Sequence, residues 1–143
     1  MYRLIAITLL GGLFTPAASA DPANQRQYYD GWKKAVSKPY YYRHFYFKKS
    51  PADKEYAYHY GIYYPSRGQR VYMYNPQTKR YWGYWDGENY SFLPRNKQKA
   101  AIDDIPAEDF PKPGKAPMIP EVDDAIIMTP PPNDFPKMND DKP

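Results

Sequence analysis

The chain has 143 residues, with no cysteine, 17 tyrosines, 17 prolines and a formal net charge of +4. Without cysteine there is no disulfide framework, no thiol chemistry, no Cys-ligated zinc and no lipid-modified N-terminal Cys, so packing alone must hold the fold. The small net charge conceals two opposed halves: residues 21–100 carry 15 Lys and Arg against 6 Asp and Glu, a net of +9, whereas residues 101–143 carry 4 against 10, a net of −6.

Residues 1–20 have the form of a secretory signal. Arg3 supplies a positive start, "LIAITLLGGLF" an apolar run, and "ASA" before Asp21 the small residues of a cleavage site. The run is too short and too Gly-broken for a good membrane span. The expectation is therefore a secreted or periplasmic protein of about 120 mature residues with one modest core and no membrane span.

Residues 21–38, "DPANQRQYYDGWKKAVSK", suit a short helix or an irregular segment, because Asp21 can cap an N-terminus and Pro22 fits the first helical position. Gly31 weakens that helix. From Pro39 the pattern changes to strands separated by turns. "YYYRHFYF" at 40–47 is nearly all aromatic. "EYAYHYGIYY" at 55–64 alternates, placing Tyr56, Tyr58, Tyr60, Ile62 and Tyr64 on one face. "RVYMY" at 70–74 sets Val71 and Met73 against Tyr72 and Tyr74. "RYWGYW" at 80–85 and "NYSFL" at 89–93 follow, joined by Asp86-Gly87, the strongest hairpin signal in the chain. Residues 39–94 thus read as a small antiparallel, aromatic-rich meander, so the fold class is mainly β.

Residues 95–143 form a Pro-rich acidic tail, extended and with polyproline-II character. Pro106 with Glu108 and Asp109 suits one helical turn. Ile105, Phe110, Met118, Ile119, Ile126, Ile127 and Met128 are too many apolar residues for a purely solvating tail. Charge attraction and a surplus of rings on the sheet lead to the expectation that residues 101–136 fold back across it, making the chain's own tail the first partner.

The stretches "YYYRHFYF", "HYGIYYPSR", "NPQTKRYWG", "YSFLP", "DDIPAEDFPKPGKAPMIP" and "MTPPPNDFP" resemble a family of small secreted bacterial proteins of unknown function. The resemblance spans residues 40–136 and implies export and one small domain with a Pro-rich tail. It implies no activity and no functional residues. The chain departs from that pattern at Tyr84, where a basic residue often follows Tyr-Trp-Gly. "VYMYNPQTKRYW" is also similar to the tyrosine-rich octamers of OCRE domains and to two strands of WW domains, both binders of Pro-rich peptides. The WW likeness breaks at Trp82, four positions after Thr78 and one short of the usual spacing.

No catalytic constellation is visible. Ser37, Ser50, Ser66 and Ser91 sit in no Gly-x-Ser-x-Gly elbow. His44 and His59 lie on neighbouring expected strands and could approach each other, but further ligands at metal spacing are missing, and packed or surface histidines are the simpler reading. The pairs Asp103-Asp104, Asp123-Asp124 and Asp140-Asp141 lack the calcium-loop pattern and read as solvated charge. The site expected instead is an aromatic surface of Tyr72, Tyr74, Tyr81, Trp82, Tyr84 and Trp85, flanked by the basic residues Arg67, Arg70, Lys79 and Arg80. Rings interleaved with cations can stack on bases, but export disfavours nucleic acid. The expected function is a non-enzymatic binding or structural module without cofactor or metal, its partners its own C-terminal tail and a cell-envelope protein, glycan or polyanion. A glycan- or polyanion-binding role is the alternative.

Overall fold

The structure is a computed structural model that describes residues 25–122 and 124–136. The expected signal segment, Asp21, Pro22, Asp123 and Asp140-Asp141 lie outside the described residues. Seven strands form one antiparallel sheet: β1 (Gln27–Tyr29), β2 (Lys33–Lys34), β3 (Tyr41–Phe47), β4 (Ala57–Tyr63), β5 (Val71–Asn75), β6 (Arg80–Trp85) and β7 (Tyr90–Phe92). Strands β3 to β7 follow one another as a meander, while β1 and β2 share the outer edge of β3.

The helix expected over residues 21–38 does not form in the described part of that segment. Its residues pair with β3, in register Tyr28 with Tyr46, Tyr29 with Phe45 and Lys33 with Tyr42. The aromatic residues explain the outcome: Tyr28 stacks on Tyr46 at 4.8 Å and Tyr29 lies 4.9 Å from Phe45. Cross-strand ring pairs of this kind outweigh a weak helical propensity. One extra residue between β1 and β2, at Gly31–Trp32, breaks the edge and turns Trp32 over the Arg43 guanidinium, 4.5 Å from the ring centre.

Alternation assigns the sheet's two faces. On the first, Phe45, Phe47, Val71 and Met73 are buried with Trp82 and Trp85. On the second, Ile62, Tyr72, Tyr81 and Tyr84 are buried. Strict alternation would place Trp82 and Trp85 on opposite faces. The pairing of β5 with β6 shifts by one residue between Met73 and Tyr74, so Trp82 is an extra residue. This bulge puts Trp82 and Trp85 together on the first face and Tyr81 and Tyr84 together on the second. Gly83 follows it because a Cβ there would lie 2.5 Å from the Ser91 carbonyl oxygen on β7. At the next hairpin Gly87 has φ 105°, and the Asp86 carboxylate accepts hydrogen bonds from the backbone N–H of Glu88 (2.9 Å) and Asn89 (2.8 Å).

The chain beyond β7 wraps the sheet. Leu93, Ile102 and Ile105 are buried on the second face, where Phe110 packs against Tyr84 at 5.1 Å. Pro106 precedes a single 3-10 turn, Ala107–Asp109. The chain passes the outer edge of β7, where Tyr90 and Gly114 exchange backbone hydrogen bonds of 2.9 and 2.7 Å. Residues 116–122 and 124–135 then cross the first face, with Ile119 only 2% and Met128 only 1% exposed. Asp124 takes two hydrogen bonds from Arg26, at 2.7 and 2.9 Å. The Gln27 amide donates to the Ile127 carbonyl (2.9 Å) and accepts from Thr129 N–H (2.7 Å), standing in for a strand at the β1 edge. Asp103 and Asp124, expected as solvated charge, are exposed and also ion-paired with Arg67 and Arg26, because the wrapped chain brings acidic residues against the basic sheet.

Candidate functional site

The second face is covered over β5 and β6 but open over β3 and β4. Its side chains come from the even positions of those strands and their approaches: Tyr40, Tyr42, His44 and Tyr46, then Tyr58, Tyr60, Ile62 and Tyr64. Register sets His44 opposite Tyr60, Tyr46 opposite Tyr58 and Tyr60 opposite Tyr74. The rings touch edge to face or tilted: Tyr42 to Tyr60 at 5.9 Å, His44 to Tyr60 at 4.9 Å and Tyr74 to Tyr81 at 4.9 Å.

Between this aromatic ladder and residues 100–103 lies a groove of about 730 Å³. Tyr40, Tyr42, Tyr60, Tyr64 and Tyr74 are half-buried along it, Ile62 and Tyr81 form its floor, and Ser66 and Arg67 close one end. The volume falls within the roughly 300–1,000 Å³ of small-molecule sites.

The groove is electrically quiet. The Tyr81 phenol is pushed far above its ordinary range, first by burial and then by the Tyr64 hydroxyl 2.8 Å away. Burial and the neighbouring Tyr58 raise Tyr60 as well. These groups stay neutral and act as hydrogen-bond donors and acceptors. The charged residues are already paired. Arg67 meets Asp103 and lies over the Tyr64 ring. His44 Nδ1 lies 2.7 Å from Asp30 Oδ2, while the other Asp30 oxygen accepts the His44 backbone N–H at 2.6 Å. Desolvation pushes the Asp30 carboxyl up, but the hydrogen bonds from His44 and Lys33 prevail and hold it below its usual value.

The expected aromatic surface is divided and largely closed. Trp82 and Trp85 lie in the first-face core. The Trp82 indole N–H donates to His59 Nδ1 at 3.0 Å, and Trp85 stacks on Phe135 at 5.9 Å. Tyr72, Tyr81 and Tyr84 are buried on the second face, and of the six only Tyr74 is half-buried, at the groove. Alternation, the bulge and the wrapping chain account for this: alternation divides the rings between faces, the bulge gathers both tryptophans on the first, and the chain covers them. The basic residues do not converge either. Arg67 and Arg70 precede β5, with Arg70 over the Tyr84 ring at 4.4 Å. Lys79 and Arg80 lie at the opposite hairpin, where Arg80 donates to the Gln98 carbonyl at 3.4 Å. Tyr40, Tyr42, His44, Tyr60 and Tyr64 were outside the expected site. Their signal was the alternation of residues 40–47 and 55–64, which becomes a groove only once the two strands pair.

β3 and β4 do pair, yet His44 and His59 point to opposite faces, since His59 stands opposite Phe45. Among the described residues no cluster of three His, Cys, Asp or Glu side chains could hold a metal ion. Burial lowers the His59 imidazole to about 4. Its Nε2 is 3.9 Å from Glu121 and has no hydrogen-bond partner.

Fold and groove together define a mainly-β protein: one aromatic antiparallel sheet wrapped by its own Pro-rich segment, with part of one face left open. Comparison with protein-family models, curated proteins and solved structures finds no match.

Proposed function

We propose that the protein is a non-enzymatic binding module whose ligand seat is the tyrosine groove on β3 and β4. The observation that supports it is selective coverage. The chain seals the first face and the β5–β6 half of the second, yet leaves a row of half-exposed rings uncovered beside a groove of about 730 Å³. Exposed aromatic rows of this kind mark recognition surfaces. The leader-like residues 1–20 support a place outside the cytoplasm, and a cell-envelope protein or glycan fits as partner there. N-terminal sequencing tests the place: a mature chain starting at Asp21 supports export, and one keeping Met1 removes it.

A neutral glycan suits the groove better than a polyanion, because the cation in its lining, Arg67, is already paired with a carboxylate and His44 already holds Asp30. Phenol rings offer apolar faces to sugar C–H groups and hydroxyls to sugar oxygens. The test is a panel of neutral oligosaccharides and a heparin-type polyanion at two ionic strengths, with Tyr42→Ala and Tyr60→Ala beside the parent. Salt-insensitive binding of a neutral oligosaccharide, weakened by both substitutions, is the expected result. Steep salt dependence would transfer the reading to a polyanion. Binding of no member would favour a protein partner or a purely structural role.

A further inference from the structure

The open face is also a connected array of phenols. Tyr28 stacks on Tyr46, the His44 ring stacks on Tyr46 at 5.2 Å, and Tyr58 lies 5.3 Å from His44, 5.5 Å from Tyr60 and 6.0 Å from Tyr46. Rings in such contact exchange an electron readily, so a phenoxyl radical formed on one need not stay there. Tyr58 differs from the rest. At 40% exposure it is the most open of the described tyrosines, the others on this face being half-buried or buried. No thiol competes for oxidant, as the chain has no cysteine.

We propose that Tyr58 is a site of oxidative cross-linking between two copies of this chain, driven by a peroxidase-type oxidant with hydrogen peroxide. Each of two Tyr58 phenols loses one electron and one proton. The two radicals join through the ring carbons ortho to oxygen, and the hydrogens on those carbons move to the oxygens to restore aromaticity. Hydrogen peroxide takes up the two electrons and two protons and leaves as two waters, so the balance is two phenols and one peroxide to one dityrosine and two waters. Exposure directs the coupling to Tyr58, because the ring carbons of two copies must meet and the other phenols of the array are half-buried or buried.

The experiment treats the full chain with horseradish-type peroxidase and hydrogen peroxide, reading covalent dimer on a denaturing gel, dityrosine fluorescence, and the linked peptide by mass spectrometry. A fluorescent dimer joined through Tyr58 is expected, and Tyr58→Phe, which keeps the ring and its contacts, should lose most of it while circular dichroism stays unchanged. Absence of dimer in the parent, undiminished dimer in Tyr58→Phe, or linkage mapped to another tyrosine would each overturn the proposal.

Discussion

The two faces of the sheet solve the same problem differently. Both are rich in aromatic rings, as a short sheet poor in Leu, Ile and Val must be. The first face is sealed: Ile119 and Met128 fill the space over Phe45, Phe47 and the tryptophans. Arg43, only 3% exposed, fastens the covering chain by donating to Asp134 at 2.8 Å and ties down the kinked edge by donating to the Asp30 carbonyl at 2.9 Å. The second face is covered over half its width and leaves phenols in contact with solvent. Apolar rings gain most from full burial, whereas tyrosine keeps a hydroxyl that is satisfied at a wet boundary. Phe and Trp therefore dominate the sealed side and Tyr the open one.

The largest expected effect breaks the sealed face. Deleting residues 115–143 removes Ile119 and Met128, whose burial is worth about 2–5 kcal/mol each. The urea midpoint should fall sharply and Trp emission shift to the red. An unchanged midpoint and emission would mean that the first face holds without its cover. Single truncations sharpen the contrast: Met128→Ala should cost about 3–4 kcal/mol, and Ile102→Ala, at the margin of the second-face cover, about 2 kcal/mol. Equal losses would remove the distinction between the faces.

Acid should act on the sealed face through His59. Its imidazole falls to about 4 when folded, against the ordinary 6.5 of the unfolded chain. The unfolded state therefore binds the proton first. The contribution is fully present above pH 6.5, declines as pH falls toward 4, and levels off below, about 3 kcal/mol in all. Urea midpoints across that range in the parent and in His59→Gln check this, with the decline expected to flatten in the variant. The smallest effect belongs to the open face: Tyr58→Ala should cost about 1 kcal/mol, from its ring contacts with Tyr46 and Tyr60. A loss comparable to that of Met128→Ala would show that the face is less open than its exposure indicates.

Much of the sheet was legible beforehand. The period-two patterns of residues 40–47, 55–64 and 70–74 predict β3 to β5 and their faces, and Asp86-Gly87 predicts the β6–β7 hairpin. Such patterns are local: alternation and turn chemistry depend on near neighbours. The edge strands β1 and β2 were not legible. Residues 27–34 have no strong period of their own, and their conformation is decided by the rings and backbone of β3 that they meet.

What the amino-acid sequence determined by itself was an antiparallel aromatic sheet held without disulfides and followed by a Pro-rich acidic segment carrying isolated apolar anchors. What only the tertiary structure decided was which rings are buried and which remain open. One extra residue at Trp82 moves Trp82 onto the face of Trp85 and Tyr81 onto the face of Tyr84. The path of the chain past β7, fixed by the Tyr90–Gly114 pairing, sends Ile102 to one face and Ile119 to the other. A bulge and an edge crossing leave little trace in local residue pattern, because each depends on backbone partners far along the chain. The groove on β3 and β4 is what those two long-range choices leave uncovered.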